Sequence, residues 1–281
     1  MDRLSSVLSA FRPRTTAVTG VFAQPSEQPL ALKSGACYWL YCLSGELRLT
    51  DPHGKRLALC QGEGVWLASG MSFSLMASLN KQASQLLICE YDFASKALNP
   101  LLDDGLHWVK VTESETIGQQ LQPLHCILIQ EFTQDRCGSQ VVLERLAEAL
   151  LVQLLRLFMQ TNRIPSGLLA GLSDTKLARA IVAMHEQPHQ AWQVHELAAL
   201  AGMSRSSFSR LFRETLAMTP MAYLTLWRMR VAAQRLKSGD KNLAILSDEL
   251  GYQSEAAFRR TFKRIMGVAP GAVVRASSAP H

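Results

Sequence analysis

The sequence predicts an α+β chain: a small antiparallel barrel, then a pair of helices, then an all-helical C-terminal part. Three observations predict it. Residues 30–93 are short apolar runs punctuated by glycine turns. Residues 115–160 switch to an apolar period of three and four residues. From Asp174 onward the pattern is helical throughout, and it repeats itself. The chain has 281 residues, 48% of them apolar and 19% charged. That composition excludes a disordered chain, and the length suits two domains of about 150 residues each.

The barrel elements follow one another closely. Cys37–Leu43 is a continuous apolar run rich in aromatics, read as a strand. Leu47–Thr50 alternates, Asp51-Pro52-His53-Gly54 turns, and Lys55–Cys60 follows. Gln61-Gly62-Glu63-Gly64 leads into Val65–Ala68, Ser69-Gly70 into Met71–Met76, and Gln85–Phe93 closes the series. Leu143, Leu146, Leu150, Leu154, Leu157 and Phe158 mark an amphipathic helix about 30 Å long. A second helix is expected over Gln119–Phe132. An apolar stripe on this pair suits either dimerisation or packing on the barrel. Residues 161–173 have the Pro, Gly and Ser content of a linker. The expected domains are therefore 1–110 (barrel), 111–162 (helical dimerisation segment), 163–173 (linker) and 174–275.

Charge is uneven along the chain. Residues 1–170 hold 14 Lys/Arg and 15 Asp/Glu, whereas residues 171–281 hold 15 and 8. A near-neutral part joined to a part of net charge +7 suits a polyanion-binding module with a neutral companion. No apolar run reaches the length of a membrane span. Met1–Ser5 followed by Arg12-Pro13-Arg14 makes a poor signal peptide, so the cytoplasm is the expected compartment. The six cysteines (Cys37, Cys42, Cys60, Cys89, Cys126 and Cys137) include no C-x-x-C pair. No structural zinc site is expected, and the thiols should be reduced.

The basic part is a duplication. Ala201–Arg213 recurs as Gly251–Lys263, with Phe208, Phe212 and Pro220 repeating as Phe258, Phe262 and Pro270. Each copy has helix-turn-helix grammar. A first helix (Val194–Ala201; Leu243–Leu250) meets a glycine where the chain turns sharply (Gly202; Gly251), and a serine follows as N-cap of a second helix (Ser204; Ser254). Phe208, Leu211 and Phe212 share one face of that helix, as do Phe258, Phe262 and Ile265. The other face carries Arg205, Ser206, Ser209, Arg210 and Arg213, then Glu255, Ala256, Arg259, Arg260 and Lys263. Arginine reads guanine through two hydrogen bonds, and Ser or Ala lets the backbone approach. A surface helix is also charged on its outer face, and Glu255 with Arg259 also fits an i,i+4 ion pair. Two matching copies favour the reading of DNA. Thr219-Pro220 opens a connecting helix that runs to Lys237 and ends at Gly239. Its length of roughly 27 Å suits two recognition helices set in successive major-groove segments.

These residues resemble the AraC/XylS transcription regulators over about 175–275. The shared positions run from Trp192 and Leu197-Ala198 through Ala201–Ser204 and Phe208–Phe212. They continue through Thr219-Pro220, Tyr223-Leu224, Arg228-Met229, Ala232 and Leu236 to Gly251–Glu255, Phe258, Phe262–Arg264, Gly267 and Pro270. The resemblance implies sequence-specific binding of double-stranded DNA, activation of transcription and RNA polymerase as a partner. It implies base contacts from Arg205, Ser206, Ser209, Arg210, Glu255, Ala256, Arg259 and Arg260, with Ser207 and Ala257 beside them. Arg213, Lys263 and Arg264 are implied to hold phosphate. Ser247 and Val273 depart from the usual alanine and tyrosine.

Residues 30–93 resemble the cupin-type barrel found at the N-terminus of many such regulators, so the fold expected is a cupin-like sensor joined to a double helix-turn-helix domain. The strands that would carry an H-x-H metal set hold no histidine. His185 and His189 are separated by Pro188, which suits a loop pair rather than a metal site. No cofactor or metal is expected. Two inputs fit the barrel. A small apolar effector would meet Tyr38, Trp39, Tyr41, Trp66 and Phe73. Alternatively, Cys89, which resembles a strand cysteine of redox-responsive members, senses oxidant, with Cys37 as a further thiol and its partner on another element. Either set also fits plain core packing. The alternative to a regulator is an enzyme, either a cupin oxygenase or a DNA-alkyl-transfer protein with the same DNA-binding module. Against it stand the missing histidine pair, four-cysteine cluster and Pro-Cys-His motif. A non-specific architectural protein fits poorly with paired polar reading faces.

Overall fold

The structure, a computed structural model, describes residues 2–11, 13–23, 30–32, 36–51, 53–68, 74–77, 84–93, 101, 108–112, 116–134, 136–161, 164–240 and 242–277. Its contacts form two compact units. One holds Met1–Arg12, Ala97–Asp103 and Ile164–His281, and the other Pro13–Lys96 and Asp104–Arg163.

In the second unit the strands are β1 (Arg14–Ala23), β2 (Leu30–Ala31), β3 (Cys37–Ser44), β4 (Glu46–Thr50) and β5 (Arg56–Cys60). They continue with β6 (Gly64–Leu67), β7 (Ser74–Ala77), β8 (Ser84–Asp92) and β9 (Trp108–Val111). Among the described residues they form two antiparallel sheets, ordered β1-β8-β3-β6-β9 and β2-β7-β4-β5. Two helices follow, α2 (Thr116–Gln134) and α3 (Ser139–Gln160), each a little longer than the apolar period predicts.

Alternation along β3 explains its unbroken apolar run. Tyr38, Leu40 and Cys42 point between the sheets, where they pack with Leu47, Leu49, Leu59, Val65, Leu67, Leu75, Leu86 and Ile88. Cys37, Trp39 and Tyr41 point the other way, beneath the helices, and are equally buried. The Tyr91 hydroxyl, two strand positions from Cys89, donates to Ala147 O at 2.9 Å, tying β8 to α3. Trp39 Nε1 donates to His125 Nε2 at 3.1 Å, tying β3 to α2. A strand with both faces covered shows no polar alternation. Gly64 sits where a Cβ would overlap the Trp39 ring, so the indole lies flat across β6.

The other unit is helical: α1 (Ser5–Phe11), α4 (Leu168–Ser173), α5 (Thr175–Glu186), α6 (Val194–Leu200), α7 (Arg205–Leu216), α8 (Pro220–Lys237), α9 (Leu243–Glu249), α10 (Glu255–Met266) and α11 (Pro270–Ser277). The sequence predicts a barrel from residue 1 and a linker over 163–173. Instead, the barrel unit begins at Pro13, and α4 buries Leu168, Leu169 and Leu172. Leu4 just before α1, and Val7 and Phe11 within it, are buried in the helical unit, with Phe11 edge-on to Trp227 at 5.3 Å. Beside it, His185 joins Ser6 Oγ through Nδ1 (3.1 Å) and the Tyr223 hydroxyl through Nε2 (2.6 Å), and stacks on Trp227 at 3.5 Å.

Each unit thus holds a neutral histidine. Burial pushes His125 down to about 4 and His185 down to about 3. The unfolded chain, with ordinary imidazoles near 6.5, takes up protons that the folded protein refuses. Stability is therefore full above about pH 6.5 and falls as pH drops toward 4. Going from about pH 7.5 to about pH 5 should cost about 2 kcal/mol per histidine in urea unfolding. His125→Phe should lose that share of the acid dependence; an acid slope equal to wild type would show that His125 is not its source.

Candidate nucleic-acid interface

The first reader is α6, a turn and α7. The Gln193 amide donates to Glu196 Oε2 at 2.7 Å and closes the start of α6. Gly202 adopts φ 65°, and the Met203 amide returns to Ala198 O at 2.9 Å. Ser204 Oγ then accepts from the Ser207 amide at 3.2 Å, starting α7 where the sequence places it. Phe208, Phe212 and Leu216 are buried, and the two rings meet at 5.6 Å. Arg205, Ser206, Arg210 and Arg213 are exposed, with Ser209 half-buried.

The second reader repeats this construction. Asn242 caps α9 through the Ile245 amide (3.1 Å), Gly251 turns at φ 75°, and Ser254 Oγ accepts from the Ala257 amide at 3.2 Å. Phe258 and Phe262 are buried 5.7 Å apart. Ala256, Arg259, Arg260, Lys263 and Arg264 are exposed, and Glu255 is half-buried. The connecting helix spans Pro220–Lys237 as read, with Thr219 Oγ1 accepting from the Ala222 amide. The two departures are accommodated locally. Ser247 is buried with its hydroxyl donating to Ala244 O at 2.9 Å, and Val273 packs on the second reader's core.

The readers differ in charge pairing. Arg205, Arg210 and Arg213 form no ion pair among the described residues. Arg259 is held by Glu255, with Nε at 2.6 Å and Nη2 at 2.5 Å from Oε1. The i,i+4 pair weighed in the sequence is therefore present. An exposed pair of this kind is worth about 0.3–0.5 kcal/mol, little enough for a phosphate or base to displace.

In the barrel unit, Trp39, Trp66, Cys37 and Cys89 lie on the helix-covered face rather than in the barrel interior, and Tyr41 lies with them. Tyr38 is in the interior, which aliphatic side chains fill, and Phe73 falls outside the described residues. Cys89 pairs with Trp39 and Cys37 with Tyr91, so the two thiols are diagonal neighbours on adjacent strands. Burial pushes the Cys89 thiol up to about 12. His125 carries no signal in the sequence. Its ring stacks on Tyr41 at 4.1 Å beside a small void of about 10 Å³, lined in part by Trp39, Tyr41, Gly62, Gly64, Gln122 and His125, room for no more than a water. No local pattern singles it out, because its partners lie on β3. His185 is taken up by Ser6 and Tyr223, and His189 is an exposed loop residue. Among the described residues, no three His, Cys, Asp or Glu side chains gather as a metal site.

The two turn glycines differ in surroundings. A Cβ on Gly202 meets nothing, whereas one on Gly251 overlaps His189 O. Gly202→Ala should cost about 1 kcal/mol from its left-handed backbone alone. Gly251→Ala should cost clearly more in thermal unfolding, and equal losses would contradict the close approach.

Comparison with known proteins agrees with this geometry. The helix-turn-helix domain family matches residues 197–276, and the cupin family matches residues 2–160. A putative AraC-like transcription regulator from Streptomyces antibioticus is 31% identical, covering 96% of this chain and 97% of its own. The RCS-specific HTH-type transcriptional activator RclR from Escherichia coli (strain K12) is 31% identical over 83% of this chain and 82% of its own. Among solved structures, ToxT from Vibrio cholerae O395 covers 94% of this chain and 98% of its own, at 12% identity and a TM-score of 0.41. With a cupin unit, paired helix-turn-helix readers and a full-length relative of this kind, the chain belongs to the AraC-like transcription regulators.

Proposed function

We propose that this DNA-binding regulator activates transcription by placing α7 and α10 in the major groove, and that it has no catalytic role. The observation that carries the reading is the duplicated pair of capped helices, each with buried phenylalanines on one side and exposed arginines on the other. Arg205, Ser206, Ser209 and Arg210 read base edges in the first half-site, and Glu255, Ala256, Arg259 and Arg260 read the second. Arg213, Lys263 and Arg264 hold phosphate. Glu255 orients Arg259 until DNA arrives. RNA polymerase is the downstream partner, and the Escherichia coli relative, a transcriptional activator, supports the direction of control.

The barrel unit receives the signal, and α2 with α3 serves as the dimer contact; Ile127, Val141 and Val142 are apolar and exposed there. Oxidation is favoured as input by the Cys37–Cys89 diagonal and by the RCS-specific relative. A thiol pushed up to about 12 holds almost no thiolate at neutral pH, so reaction waits on opening of the covering helices. No helix among the described residues is long and apolar enough to cross a membrane, which fits action in the cytoplasm.

On DNA selected from a randomised pool, Arg210→Ala should lose about 1–3 kcal/mol at its own base pair and relax preference there. Lys263→Ala should weaken all sequences alike and reduce the salt slope by about 1. Intact site preference in Arg210→Ala would remove it from base reading. For the signal, mild oxidant should change promoter binding by wild type but not by Cys89→Ser; equal responses would exclude Cys89.

A further inference from the structure

Among the described residues, the side chain of Arg228 touches both readers. Arg228 lies midway along α8. Its Nε donates to Pro188 O at 2.5 Å and its Nη2 to Gln190 O at 2.8 Å, both in the loop between α5 and α6. Its guanidinium also lies 5.8 Å from the Tyr252 ring centre, in the turn of the second reader. Tyr252 in turn stands edge-on to Phe258 in that reader's core, at 5.6 Å.

The loop that Arg228 grips is bonded within itself. Gln190 N bonds Gln187 O, Trp192 N bonds Gln190 O, and the Trp192 indole donates to Gln187 O. Its other side is pressed by Gly251, where any side chain would overlap His189 O. Beyond this contact the boundary opens into a cleft lined by His189, Asp248, Glu249, Gly251, Tyr252 and Gln253. At the far end of α8, Arg235 pairs with Asp240 at 2.6 Å and with Glu249, fastening α9 to the same helix.

We infer that Arg228 is a positioning residue that holds the two readers at one mutual angle, and so sets the separation of half-sites the protein accepts. This rests on the reading that both α7 and α10 enter DNA. The chemistry is specific to arginine. A planar fork bonds two carbonyls at fixed spacing while its charge stays within cation–π reach of a ring, and a lysine ammonium is a point donor that cannot hold that fork geometry. Inserting one base pair between half-sites turns the second by about 35° and shifts it by about 3.4 Å. A rigid pair of readers cannot follow that change, whereas a loosened pair can.

The test uses the full-length protein and duplexes selected from a randomised pool by the wild type. Both half-sites are located by footprinting, and one or two base pairs are then inserted between them. Wild type should lose about tenfold or more in Kd per insertion, a loss like that of a mismatched base pair. Arg228→Met should bind the original site somewhat more weakly and lose only about threefold or less on insertion. Arg228→Lys keeps the stem and charge and should show the same flattened spacing profile, which covers the case in which the methionine variant folds poorly. A variant that loses affinity at every spacing by one common factor would overturn the inference, because general destabilisation does that. Wild type indifferent to spacing would also overturn it. Wild type that enriches no sequence would instead sink the proposed reading of DNA, and the inference with it.

Discussion

Helix α8 has to serve two cores at once. Tyr223, Leu224 and Trp227 are buried near its start, beside α5 and α7, and Met229, Ala232, Ala233 and Leu236 are buried in the second reader. Neither reader is complete without it. A helix that covers two modules cannot keep a wide polar face, and even Arg230 is buried on it. What solvent-facing surface remains is narrow, so its polar groups fall at the ends and at the junction. Arg235 fastens one end and Arg228 spans the middle. The two readers therefore share one rod, and a contact that also bridges them, such as that of Arg228, acts on both.

Much of the helical unit was legible because its signals are local. A serine cap, a turn glycine and a phenylalanine pair four residues apart each act within one turn of chain, so Ser204, Gly202 and Phe208 could be placed from neighbours alone. The duplication added an internal control. Helix α1 was missed although Leu4, Val7 and Phe11 have helical spacing, because seven residues are too few to stand without a partner far along the chain. Helix α4 was hidden by the Pro-Ser-Gly segment before it. In the barrel, aromatic residues identified β3 but not which of its faces is which. Both sides of that strand are covered, so polarity carries no directional information, and the sequence leaves Trp39 and Tyr41 equally fit for an effector lining or for plain core packing.

The two copies have diverged in how they manage charge. The first presents arginines free of ion pairs among the described residues, beside small serines. The second keeps one arginine against a glutamate on the same helix. On the proposed reading of DNA by α10, a carboxylate beside Arg259 would lower attraction to any duplex alike, so Glu255 would temper non-specific binding as well as holding Arg259. A strong first reader and a restrained second one suit a protein in which selectivity arises from both being satisfied together.

The chain leaves the helical unit after α1 and enters the barrel unit at Pro13. Leu4, Val7 and Phe11 are therefore core side chains of the helical unit supplied from the opposite end of the polypeptide. Dissection at the obvious boundary before Ile164 would yield a fragment with an unfilled apolar seat on α5 and α8, at Trp227 and His185. The natural unit of excision for the DNA-binding part is two pieces of backbone rather than one.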